Sequence, residues 1–272
     1  MSNTFFTDVK YFSEAIKSFG EKIAPINALS TKYEGQIVGT SVVVPLASTG
    51  PGQEFAGTYA VDNSELAEIS VPVKQYFKSF SVSVKEASES SAATLANLYK
   101  VNMDAFAATV QAAVFADMAN FTLEHEYASL SAFDWDDIKA ALAKGDELPE
   151  DGKVLLVKSA LNTQLLPSTS QNLAIKASDY GLDSFVTSKL PTGVDGTVLH
   201  PGCYAIATAI PQNPLIGTNA LIDSEIIEAD NGMRFLFTLS GSGDTGKIRG
   251  VFSVLAGGKI AQDKAVRIVE AE

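Results

Sequence analysis

The sequence predicts an α+β fold, on three observations. An alanine-rich stretch at 88–119 runs without Gly or Pro and carries apolar residues at helical spacing. Period-two, β-branched stretches flank it at 33–84 and 233–269, and short strand-like and helix-like segments alternate between 133 and 211. The chain has 272 residues, 46% of them hydrophobic and 19% charged, which excludes disordered, collagen-like and disulfide-rich classes. That length predicts one large domain or two small ones.

The first element is an amphipathic helix within 4–24, with Phe5, Val9, Phe12, Ile16 and Phe19 three or four residues apart and a stop at Gly20 or Pro25. Its phenylalanine stripe packs either on its own domain or on a neighbour. The pattern then changes to strands at 36–47, ending at Pro45, at 54–61, and at 71–86, where Phe77, Ser79 and Ser81 alternate with their neighbours. Gly50, Pro51 and Gly52 break the chain between the first two. Residues 33–73 hold no Lys or Arg but carry Glu34, Glu54, Asp62, Glu65 and Glu68. A β-rich excursion of one charge sign, with a Gly/Pro tip, reads as a projecting hairpin that needs another surface.

The helix at 88–119 is capped by Ser88 with Glu89 in its first turn, and Leu95, Leu98, Tyr99, Val101, Met103, Phe106, Val110, Val114 and Met118 form its apolar face. A short helix runs from Asp134 to Gly145, and 153–166 reads as a buried strand followed by a helix. Further short strands fill 172–211, with one more short helix opening at Pro201. Strands at 233–240 and 247–258, joined by the turn 241–246, form a long hairpin, and 265–269 is a last strand.

Chemistry finds little footing in this sequence. GSGDTGK at 241–247 matches a phosphate-binding loop, but such a loop needs a following helix and a hydroxyl after the lysine. Here Ile248 and a period-two stretch follow, so the motif reads as a hairpin turn. His125 and His200 are the histidines, no G-x-S-x-G surrounds a serine, and H-E-x-x-H is absent. His125 reads as a helix-end histidine, and Cys203 as an inert packed thiol at a helix start. Asp134, Asp136 and Asp137 read as first-turn acids of a helix rather than a cation site, and Trp135 as an anchor in the core or at a hinge. No catalytic residue, cofactor or metal site is assigned.

Twenty Lys+Arg against 32 Asp+Glu give a net charge of −12, which disfavours a sequence-reading nucleic-acid binder. A single cysteine fits a reducing compartment, and neither a signal peptide nor a membrane-spanning run is evident, so an intracellular product or assembly is expected.

The order of these elements, an arm helix, an acidic β-excursion, a long helix, an α+β middle and a closing hairpin, resembles the major capsid proteins of tailed bacteriophages. That family has the Hong-Kong-97-type shell fold shared with encapsulins. The ending FLFTLSGSGDTGKIRGVFSVLAGGKIAQDKAVRIV is the best local likeness, and DGKVLLVKSALNTQLL with VDGTVLHPGCYAIATAIP is similar to the family's axial-domain units.

The resemblance implies an N-terminal arm (1–30), an extended loop (31–72), a peripheral domain (73–122 and 226–262) with spine helix 88–119, and an axial domain (123–225 and 263–272). It implies subunit contacts at Phe5, Phe12 and Phe19 of the arm, at Thr49, Gly50, Pro51 and Gln53 of the loop tip, and at Ser242, Gly243, Asp244, Thr245 and Lys247 of the turn. The implied product is a homo-oligomeric icosahedral phage head of hexamers and pentamers, assembled in the host cytoplasm. It would be helped by a separate scaffolding protein or protease and a portal, and would touch packaged DNA weakly and without specificity. Some family members cross-link the extended loop through a lysine. This chain has none between Lys32 and Lys74, so a non-covalent shell is expected. An encapsulin-like compartment is the alternative.

Overall fold

The long helix organises the chain. A computed structural model describes residues 9–29, 37–38, 40–48, 65–83, 85–86, 92–145, 152–166, 176–213, 220–229, 232–242 and 246–271. In it α1 (Val9–Lys22) and α2 (Ala24–Leu29) precede α3 (Ala92–Phe115), and α1 packs along α3. Gly20 lies inside α1 rather than ending it. The break falls at Ile23, and Pro25 sits in the first turn of α2, where a missing N–H leaves no bond unmade.

At 24 residues α3 is roughly 36 Å long by the ordinary helical rise. The proposed cap at Ser88 and Glu89 lies outside the described residues. The C-terminal end tightens into a 3-10 turn over Ala116–Asn120, where the Asp117 carboxylate accepts from the backbone N–H of Ile260 at 2.9 Å. Most of the expected apolar face is buried, from Leu95 and Tyr99 through Met103, Phe106, Val110 and Val114 to Met118. Val101 departs from it, pointing outward and 66% exposed.

Two sheets lie on this frame. The first has the strand order β10 (Leu221–Glu228), β11 (Arg234–Ser242), β12 (Lys247–Ile260), β4 (Lys74–Ser83), and β9 (Tyr204–Ala209) pairs with the far end of β12. The sequence placed 204–209 with the middle unit, whereas hydrogen bonding joins it to the closing hairpin. The inner face of this sheet packs phenylalanines on α3. Phe252 lies 5.0 Å from Phe237 and 6.2 Å from Phe106 between ring centroids.

The second sheet is mixed, with the order β5 (Leu123–Tyr127), β13 (Val266–Glu270), β8 (Gly196–Leu199), β6 (Lys153–Val157), β7 (Leu182–Val186). Strands β6 and β8 are buried almost throughout, as their continuous apolar runs require. Helices α4 (Trp135–Lys144) and α5 (Ser159–Leu165) accompany this sheet. Both sheets, α1, α2 and α3 share one continuous apolar core.

A third, small sheet stands apart. Strands β2 (Ser41–Ser48) and β3 (Glu65–Pro72) form an antiparallel hairpin, with the short β1 (Ile37–Val38) beside the start of β2. Strand β2 continues through Pro45, which pairs with Glu68. β1 reaches only Ser41 and Val42, so at Pro45 the other edge of the strand has no partner needing an N–H among the described residues. Val42, Val44, Val71 and Val73 root the hairpin against Ala205 and Ala207 in a separate small core. The strand expected at 54–61 lies outside the described residues.

Two local expectations fail. His125 is not at a helix end but in β5, because α3 stops earlier and the chain turns into a strand at Leu123. Pro201 opens only a three-residue 3-10 turn, Pro201–Cys203, whose first free N–H, that of Gly202, is taken by the His200 ring at 3.1 Å.

Candidate assembly surfaces

Phe19 is completely buried in its own chain, its ring 5.7 Å from Phe106 and 5.0 Å from Phe235. It anchors α1 to α3 and has no surface left for a neighbour, which corrects the expectation of an intersubunit contact there. Phe5 lies outside the described residues. Phe12 belongs to α1, but its side chain, like Thr49, Gly50, Pro51 and Gln53, is likewise outside them.

At the other candidate turn, Ser242 ends β11 and pairs across the hairpin with Lys247, the first residue of β12. Gly243, Asp244 and Thr245 lie outside the described residues, and Gly246 closes the turn at φ 57°, a conformation that suits glycine. Lys247 is exposed on a strand, not at the N-terminus of a helix. Lys247 opens a strand that returns antiparallel to β11, so the helix N-terminus that a phosphate loop needs after its lysine is not there among the described residues.

The outer face of the first sheet is more informative. Side chains alternate between the faces of a strand, and residues opposite one another share a face. Since Phe235, Phe237 and Phe252 face α3, the register puts four rows on the other side. From the turn inward they are Lys247–Ser83, Leu221–Ser240–Arg249–Ser81, Ser224–Thr238–Val251–Ser79 and Ile226–Leu236–Ser253–Phe77. No residue of these rows is itself a carboxylate, but Glu86 stands beside the first, accepting from Ser83 Oγ at 2.8 Å. The Ser83 hydrogen bonds together with the Lys247 charge hold its carboxyl below the usual range. Lys247 and Arg249 are exposed, and in the innermost row Phe77 is 58% and Ile226 48% exposed. The face therefore has cations toward the turn and exposed apolar side chains on its two outer strands, β4 and β10. Between them Leu236, Thr238 and Ser253 are buried, and Asn213 donates to Ser224 Oγ at 3.0 Å. The sequence did place Phe77, Ser79 and Ser81 on one face. It gave no sign of Ile226 as their neighbour, because that depends on the pairing of β10 with β11.

Several titratable groups serve structure. Asp134 caps α4 by accepting from Asp136 N at 2.8 Å, and Asp137 accepts in return from Asp134 N, so these acids do form the expected helix cap. The second oxygen of Asp137 meets His125 Nε2 at 3.0 Å, tying α4 to β5. Trp135 stacks on Tyr180 and donates its indole N–H to Leu165 O at 3.3 Å, which fits the expected anchor. Lys158 pairs with Asp195 at 3.0 Å while Tyr127 donates its hydroxyl to the other oxygen of Asp195. Cys203 is buried, and that burial pushes its thiol pKa up, away from the reactive thiolate.

No family model matches this sequence, and no curated protein does. Its fold is matched among solved structures. A chain of the virus-like particle from Pyrococcus furiosus superposes with a TM-score of 0.60 at 11% identity, over 94% of this chain and 99% of that one. For Gordonia phage Cozz the TM-score is 0.59 at 13% identity, over 92% and 87%. The chain has the Hong-Kong-97-type capsid fold. The capsid of a native GTA particle shares it, with a TM-score of 0.53 at 14% identity over 90% and 91% of the two chains. Likeness across nearly the whole of each chain means that the capsid fold accounts for both sheets and the long helix together. Among the described residues no helix is long and apolar enough to cross a membrane.

Proposed function

We propose that this chain is the major capsid protein of a tailed phage. It forms hexamers and pentamers that close into an icosahedral head around double-stranded DNA, without covalent cross-links. The observation that carries the reading is a complementarity within one sequence. The excursion at 33–73 has five acids and no cation. The outer face of the first sheet has the exposed cations Lys247 and Arg249, only the former beside a carboxylate, Glu86, and an exposed Phe77 and Ile226 on its outer strands. A hairpin rooted at Val42, Val44, Val71 and Val73 is an extended loop, and its landing place is this face on the adjacent copy. Residues 73–122 with the strands 204–209 and 221–260 then act as the peripheral domain, 123–203 with 263–272 as the axial domain, and the turn 241–246 meets its equivalents where capsomers join.

A tiling subunit gains stability from large surfaces shared with its neighbours. The net charge of −12 suits a container for DNA, because strong cation–phosphate binding would hinder packing and release. The chain itself catalyses nothing in this reading, and scaffolding protein or protease, portal and DNA are its partners.

Mass photometry of the purified protein tests the proposal. Capsomers and closed shells are expected, and a lasting monomer would refute it. Boiling in detergent should give the monomer band alone, since the excursion carries no lysine to cross-link. A ladder of covalent multimers would contradict the non-covalent shell.

A second reading, a cellular nanocompartment of the encapsulin kind, is favoured by the likeness to the Pyrococcus furiosus virus-like particle. Nuclease-protected DNA in native particles supports the phage head, and a co-purifying folded protein in place of DNA supports the compartment.

A further inference from the structure

The chain passes between its two large sheets three times, from α3 into β5, from β8 into β9, and from β12 into β13. All three connections lie side by side. The N–H of Ile260 donates to Asp117 Oδ2 at 2.9 Å, and the N–H of Thr122 donates to Asp263 Oδ1 at 3.0 Å. The N–H groups of Ala261 and Gln262 both donate to Cys203 O, at 2.9 and 3.2 Å. Arg267 Nη1 donates to Ala119 O at 3.0 Å while Nη2 pairs with Glu124. Connection one is thus tied to connection three by Asp117, Asp263 and Arg267, and connection two to connection three through Cys203 O.

We propose that this junction fixes the angle between the two sheets and so the curvature at which copies close, with Asp117, Asp263 and Arg267 as its determining side chains. The inference rests on the shell reading for its consequence but not for its mechanics. Irregular connections have no ladder of their own, so the N–H of Thr122 and the carbonyl of Ala119 need partners supplied by side chains, and the N–H of Ile260, at the end of β12, likewise takes a side chain, Asp117. Asp117 and Asp263 come from the opposite connection and Arg267 from the start of β13, which makes each contact a brace at the junction of the sheets. Removing the braces leaves the inner phenylalanine cluster and the buried strands β6 and β8 intact, so the sheets persist while their relation loosens. In a closed lattice a small change of angle in each subunit is repeated at every copy, and the diameter follows.

Spin labels at Glu225→Cys on β10 and Ser184→Cys on β7, both exposed positions, report the inter-sheet distance by pulsed electron resonance, with Cys203 too buried to react. Asp117→Ala with Asp263→Ala should broaden or shift that distance, and particles of the same variant should change or spread in diameter by electron microscopy. Asp263 is itself exposed, so Asp263→Ala alone must produce the broadening if the double variant does not fold. An unchanged distance overturns the junction as a brace. A changed distance with unchanged diameters overturns its control of curvature. If the parent protein forms no particle, the shell reading falls while the distance measurement still decides the brace.

Discussion

The β11–β12 hairpin lies along α3 with Phe235, Phe237, Leu239 and Phe252 turned inward, whereas the β2–β3 hairpin meets the rest of the chain through the valines at its base. Both are β-branched and alternate with period two. What separates them is the second layer. The long hairpin buries large aromatic rings against a helix of the same chain, and a fully buried phenylalanine contributes several times what an exposed one does. The short-rooted hairpin buries small side chains near its base and leaves Glu68 exposed. One hairpin builds the subunit; in the proposed function the other is stabilised by the next subunit.

Substitutions should separate these roles, beginning with the most damaging. Phe252→Ala empties a site ringed by Phe80, Phe106, Phe235 and Phe237, and the expected loss is about 3–5 kcal/mol by urea unfolding, with no particle formed. Gly258→Ala comes next. Its new methyl would stand 2.1 Å from Val114 O and 2.7 Å from the Tyr204 ring, so the end of β12 must leave α3, at a cost on the order of 2–3 kcal/mol. A melting temperature equal to the parent's would show that the sheet does not press on the helix there.

Phe77→Ser sharpens the contrast from the other side. Phe77 is 58% exposed in the subunit, so unfolding should shift by no more than about 0.5 kcal/mol. Assembly should fall by about tenfold or more, read as the protein concentration at which particles first appear. Loss of subunit stability with unchanged assembly would mean that this face serves the subunit instead. Lys247→Ala has the smallest expected effect. Nucleotide should neither stabilise the parent in a thermal melt nor be hydrolysed by it, and ATP turnover abolished by the substitution would restore the phosphate-loop reading.

Much of the fold was legible because local signals agreed with tertiary structure. The Asp134 cap, the apolar run at 153–157 and the glycine-rich turn before Lys247 each specify their own element. The misreadings arose where a distant partner decides. Phe19 and Val101 both sit on helical stripes, and only the placement of α1 on α3 buries the first and leaves the second out. His125 went to the wrong element because α3 ends where Asp117 reaches Ile260, a contact 143 residues away in sequence. The outer face was half visible. Alternation in β4 grouped Phe77, Ser79 and Ser81, but their alignment with Leu236 and Ile226 comes from strand register, which no local pattern records.

A cryo-electron microscopy reconstruction of the assembled protein tests the account most directly. It should show closed icosahedral particles in which the 41–72 hairpin of each copy covers the exposed Phe77 and Ile226 that end the Ile226–Leu236–Ser253–Phe77 row of the adjacent copy. Particles in which that row is bare, or a preparation holding only separate subunits, would contradict it.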